Sequence, residues 1–116
     1  MIRGFNGKKP KIAETAFISE AAYIVGDVEI GEYSNIFPGV VIRADMGKIT
    51  IGRYTNVEDN CIIHSGSPTS DDGDVTIGDG VLIGHGAAVN CRTIGNNVIT
   101  LMVMISSIKI FNVMPY

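Results

Sequence analysis

An isoleucine recurs every sixth residue at Ile12, Ile18, Ile24, Ile30, Ile36 and Ile42, and no other feature narrows the possible folds so far. At about 100° per residue, positions six apart do not share a helical face. Six is a multiple of the strand period of two, so each repeat reads as a short strand with inward residues followed by a turn. The residue four places later is small or β-branched at Ala16, Ala22, Val28, Ser34 and Val40. The ladder restarts at Ile51, Val57 and Ile63, with Thr55, Cys61 and Ser67 as partners. It restarts again at Ile77, Ile83 and Val89 and then shortens by one residue to Ile94. A fixed period of this kind marks a solenoid, in which each repeat buries its apolar side only against its neighbours. Three strands per triangular coil take about eighteen residues, and equivalent positions stack at the strand spacing of about 4.8 Å. Glycine directly follows Ile30, Ile51, Ile77, Ile83 and Ile94, which predicts corners that use its backbone freedom.

The interruptions carry information as well. Three extra residues fall within "RADMGKIT" between Ile42 and Ile51. The stretch "HSGSPTSDDGDVT" predicts a loop over 65–76 that projects from a corner. Its carboxylates Asp71, Asp72 and Asp74 lack the rest of an EF-hand pattern and read as solvated charges. Regular coils are expected over 10–99, within a single domain over 1–116. An irregular segment is expected over 100–116, because Thr100 and Leu101 stand where the ladder calls for an aliphatic residue and glycine. A one-residue slip would align Ile99, Ile105 and Phe111 instead. A truncated chain or an altered reading frame would produce such an ending, and its final coil would be uncapped.

Composition excludes several classes. A chain of 116 residues with formal charge −3 lacks the clustered cations of a nucleic-acid surface, and Lys8, Lys9 and Lys11 read as a solvated terminus. Cys61 and Cys91 form neither a disulfide framework nor a CxxC pair, which fits free thiols in the cytoplasm. The N-terminal residues lack the apolar stretch of a secretory signal. The apolar C-terminal stretch is broken by Ser106, Ser107, Lys109 and Asn112, so a membrane span is not expected.

Four stretches narrow the match: "VVIRADMGKITIG", "TNVEDNCIIHSG", "VTIGDGVLIGHGA" and "RTIGNNV". In order and spacing they resemble the γ-class carbonic anhydrase family of hexapeptide-repeat proteins. The resemblance implies an all-β, left-handed parallel β-helix assembled as a homotrimer. It also implies a zinc ion (or another divalent metal such as Fe2+ or Co2+) held by three histidines between subunits. The first ligand position is His64, the second is His85 from the neighbouring subunit, and the third is Asn90. Around the metal the resemblance places Arg43 and Asp45, then Asn56, Glu58 and Asp59. Glu58 stands where the family usually has glutamine, and Ala44 where glycine is common. The implied reaction is hydration of carbon dioxide to bicarbonate by zinc-bound hydroxide.

Asn90 is the departure with chemical weight. The chain has two histidines, so a three-histidine site cannot form. An amide oxygen is a weaker zinc ligand than imidazole, which predicts weak or absent metal and low or absent hydratase activity. Cys91 is one residue off and would face the other side of its strand. His64 and Ser65, being adjacent, face opposite sides and do not make a nucleophilic pair. Two other readings accompany the first: a hexapeptide-repeat acyltransferase, and a non-catalytic structural or assembly subunit.

Overall fold

A computed structural model describes residues 1–67 and 73–101, together with the backbone of short strands at 104–105 and 109–110. In chain order the strands begin with β1 Ile2–Arg3, β2 Lys11–Ile12, β3 Phe17–Ile18, β4 Tyr23–Ile30 and β5 Asn35–Ile36. They continue as β6 Val41–Ile51, β7 Asn56–Val57, β8 Ile62–His64, β9 Val75–Ile77 and β10 Leu82–Ile83. The last are β11 Ala88–Val89, β12 Thr93–Ile94, β13 Ile99–Thr100, β14 Met104–Ile105 and β15 Lys109–Ile110.

Every pairing between these strands is parallel, and the repeat explains the register. One face aligns Ile24, Ile42, Ile63, Val89 and Ile105 on β4, β6, β8, β11 and β14. A second aligns Ile12, Ile30, Ile51, Ile77, Ile94 and Ile110. The third aligns Ile18, Ile36, Val57, Ile83 and Thr100. Strands β4 and β6 run through a corner, so two faces merge into a ten-stranded sheet beside a five-stranded one. The three extra residues predicted after Ile42 are taken up where the register steps from Gly26↔Ala44 to Val28↔Ile49.

The isoleucines form the core. Ile24, Ile36, Ile42, Ile63 and Ile83 are fully buried, and Ile12, Ala16 and Ile18 pack against them at the first coil. The small inward positions knit adjacent coils together. Ser34 Oγ donates to the Gly52 carbonyl at 2.7 Å and accepts the Thr55 N–H at 3.0 Å. Thr55 Oγ1 repeats the pattern one coil on, donating to the Gly78 carbonyl at 2.8 Å and accepting the Val81 N–H at 3.2 Å. These buried hydroxyls therefore cost little, because both their donor and acceptor roles are met.

Three details of the ladder come out differently. Ser67 is only half-buried, and Ser65 takes the buried place after Ile63, its Oγ accepting the Gly47 N–H at 2.9 Å. The glycines after Ile30, Ile51 and Ile77 serve close approach rather than conformational freedom. A Cβ on Gly31 would lie 2.7 Å from the Gly52 carbonyl carbon, and one on Gly52 would lie 2.6 Å from the Gly78 carbonyl oxygen. Stacked backbone fills the space a side chain would need. The slipped frame fails at its first position: Thr100 is buried in register with Ile83, whereas Ile99 is exposed. Phe111 and the side chains of 102–116 lie outside the described residues, as do Asp71 and Asp72. Asp74 is exposed and accepts the Lys48 N–H at 2.9 Å.

Cys61 and Cys91 are free and buried, and burial pushes both thiols above the usual thiol range. Cys61 Sγ donates to the Gly84 carbonyl at 2.9 Å. A raised folded value means the neutral thiol is the form that folding favours. The associated stability is intact below the unfolded value of about 8.5 and is lost as pH rises through the folded one. The expected result is slow reaction of both thiols with a chromogenic disulfide reagent at pH 8, becoming rapid in guanidinium. Rapid reaction of either thiol in the native protein would contradict the burial.

Candidate metal centre

Arg43, His64 and Asn90 share one register position on three successive coils. Arg43 pairs with His64 between β6 and β8, immediately after the inward Ile42 and Ile63. Ile63 pairs with Val89 between β8 and β11, so Asn90 follows His64 at the same place one coil on. Each therefore points away from the core by the alternation of a strand. Asn90 is exposed, while its neighbour Cys91 is buried, so the thiol does not share its face. Arg43 and Asp45 form the ion pair expected of residues two apart, Nη1 to Oδ2 at 3.5 Å. Ser65 is buried and committed to Gly47, so it is not placed as a nucleophile for His64.

A different corner carries the remaining residues. Asn56 on β7 accepts a hydrogen bond through Oδ1 from Asn35 Nδ2 at 2.8 Å. Glu58 follows the inward Val57 and donates its N–H to the Ile83 carbonyl at 3.0 Å. The Gly86 N–H donates to the Asp59 carbonyl at 2.9 Å. The corner after β10 therefore sits directly over the corner after β7, and His85 comes to rest above Glu58 and Asp59. His85 Nδ1 is 3.8 Å from Asp59 Oδ1 and 4.0 Å from Glu58 Oε2. One donor atom from each of the three lies within 4.8 Å of the others.

The two histidines lie on different faces of the coil: His85 stacks over Asp59 at the turn after β7, and His64 ends β8 beyond that turn. The resemblance sets Glu58 and Asp59 around a metal that His85 reaches from a neighbouring subunit; the structure brings the three together within one chain. The signal lay in the loop after Ile63, which lengthens one coil and brings Ile83 over Val57.

The donor set fits a divalent metal: imidazoles and carboxylates are the ordinary ligands of Zn2+ and Fe2+. Asn90, as a neutral amide, is the weakest of the candidates. Ile62, beside His64, leaves 48% of its surface exposed, in register with Val41 and Ala88.

Fifteen parallel short strands on a six-residue period, among the described residues, define a hexapeptide-repeat β-solenoid with histidine and carboxylate side chains at its corners. The chain is 44% identical over 93 residues to a "Probable carbonic anhydrase" of Methanocaldococcus jannaschii, covering 78% of this chain and 55% of that protein. It is 37% identical over 90 residues to "Gamma carbonic anhydrase 2, mitochondrial" of Arabidopsis thaliana, covering 75% and 32%. A solved hexapeptide transferase family protein from Anaplasma phagocytophilum superposes with a TM-score of 0.76 at 39% identity, over 84% of this chain and 55% of that one. No family model matches. The chain belongs to the γ-carbonic-anhydrase-like family of hexapeptide-repeat proteins, and its fold is that family's left-handed parallel β-helix. It spans about half the length of the first relative and about a third of the second. No helix among the described residues is long and apolar enough to cross a membrane.

Proposed function

We propose that the chain assembles as a homotrimer that holds a divalent metal between subunits and acts on carbon dioxide and bicarbonate. One observation carries this reading. His64 and His85, the ligands that the resemblance implies, lie on different parts of the coil, His64 at the end of β8 and His85 over Asp59, so a second copy is needed to bring one to the other. The exposed Ile62, in line with Val41 and Ala88, supplies an apolar surface for that copy beside His64. When bound, the metal supplies a Lewis acid that makes water nucleophilic near neutral pH. The Arg43–Asp45 pair stiffens the register column that carries His64, and the Asn35–Asn56 hydrogen bond fixes the strand that leads to Glu58. As a neutral amide, Asn90 adds little as a ligand, which accords with a metal held weakly at that position.

The test is Asn90→His. The variant is expected to bind zinc at least about tenfold more tightly than the parent, with a matching rise in carbon dioxide hydration. Sedimentation equilibrium is expected to give three times the 12.4 kDa chain mass. A monomer, or no zinc in either protein, would sink the reading.

A second reading has an observation of its own. A histidine at an exposed corner flanked by carboxylates is also the arrangement of a general base, and the Anaplasma neighbour is named a hexapeptide transferase. Saturable binding of an acyl-CoA by a protein that takes up no metal would favour it.

A further inference from the structure

The corner formed by Glu58, Asp59 and His85 holds more negative charge than its protein neighbours balance. Among the described residues, Arg43 pairs with Asp45 and Lys48 with Glu29, whereas the ion-pair contacts of Glu58 and Asp59 are with His85 alone. The Glu58 side chain keeps only 23% of its surface exposed, so solvent screens it incompletely. Two adjacent carboxylates in that setting favour a cation.

The spacing fits one. Contacts of 3.8 and 4.0 Å from His85 Nδ1 are too long for hydrogen bonds. Ligand atoms at 2.0–2.2 Å from a tetrahedral zinc lie about 3.4 Å from each other, so only a few tenths of an ångström separate this corner from ligating geometry. His85 is the most exposed of the three, its side chain 73% accessible, and it can turn without disturbing the core.

We propose that Glu58, not Asn90, is the third protein ligand of the interface metal. His85 and Glu58 come from one chain and His64 from its neighbour. The assignment rests on the interface metal proposed above. It replaces a three-histidine set by two imidazoles and a carboxylate, a donor set suited to Zn2+ and to Fe2+. The logic is electrostatic. A carboxylate brings charge and a strong oxygen donor, whereas the amide of Asn90 brings neither, and the glutamate already stands beside a histidine in the folded chain.

Cobalt separates the two assignments, because its visible absorption reports ligand type and geometry without any catalytic assay. The purified full chain, Glu58→Gln, Asn90→Ala and His85→Ala are titrated with Co2+. Stoichiometry is read by elemental analysis and folding by thermal melts. The parent is expected to bind one Co2+ per chain. Glu58→Gln is expected to weaken binding more than about tenfold and to shift the absorption band. Asn90→Ala is expected to stay within about twofold of the parent, because a neutral amide outside the ligand set gives the metal no charge and no bond. His85→Ala is expected to lose binding.

If Glu58→Gln binds like the parent while Asn90→Ala is weakened, this assignment falls and the interface metal stands with Asn90 as ligand. A parent that takes up no Co2+ overturns both. Should Glu58→Gln fail to fold, Glu58→Asp retains the charge but shortens the reach. An unchanged spectrum and affinity in that variant also overturns the assignment.

Discussion

Ile42→Asn is expected to abolish cooperative folding. Ile42 sits fully buried in the middle of a column, with Ile24 on one side and Ile63 on the other. Removing its apolar side chain forfeits about 2–3 kcal/mol of burial. The amide that replaces it finds only isoleucine above and below, at a further cost of about 1–3 kcal/mol. Together these rival the total stability of about 5–15 kcal/mol available to a domain of ordinary size. A solenoid magnifies the loss, since stability is close to a sum over neighbouring repeats and one central position belongs to two interfaces. Ile42→Val removes one methylene and is expected to cost only about 1 kcal/mol. Thermal melts followed by far-ultraviolet circular dichroism distinguish the cases, and an asparagine variant melting within a few degrees of the parent would refute the account.

Gly26→Ala is the second large effect, and a single methyl group is enough to produce it. Gly26 has φ of +90°, and a Cβ there would lie 2.1 Å from the Ala44 carbonyl oxygen. The conformational penalty for an L-residue is about 1–2 kcal/mol. Overpacking against a backbone that cannot swing aside adds about 1–3 kcal/mol. Ala44 pairs with Gly26 immediately before the register step, so relieving the clash would also disturb the bend of β4 and β6. Gly7 provides the control: φ is +76°, but nothing lies within 4 Å of a Cβ there. Gly7→Ala is expected to show the conformational penalty alone. Equal destabilisation of the two variants would mean that contact with Ala44 contributes nothing.

The isoleucine spacing was enough to read the solenoid, its three faces and most of its core, because an inward residue every six positions leaves few other ways to bury those side chains. The three-residue excess after Ile42 was equally legible, and it became the step between β4 and β6. What the spacing could not reveal was distance between coils. Gly31, Gly52 and Gly78 look like turn residues in one dimension, and only stacking shows that the adjacent coil, its backbone and the Asp79 and Asn96 side chains, occupies the space beside them. Ser67 kept the count but not the place, because the chain leaves the ladder at Ser65 to begin its loop. The site divided in the same way. Family-like motifs single out His64, His85 and Asn90 as candidates, but the approach of His85 to Glu58 and Asp59 depends on which coil lies over which.

The neck of the loop after β8 has a wider consequence. The Gly66 N–H donates to the Gly73 carbonyl at 3.0 Å, and β9 then rejoins the stack with Ile77 beside Ile51. Registers on both sides are set by their own columns, so the number of residues between the two glycines is not read by the coils. Chain length at this corner is thus uncoupled from spatial order. Insertions or deletions there can renumber everything downstream, while Asp59 still finds His85 overhead.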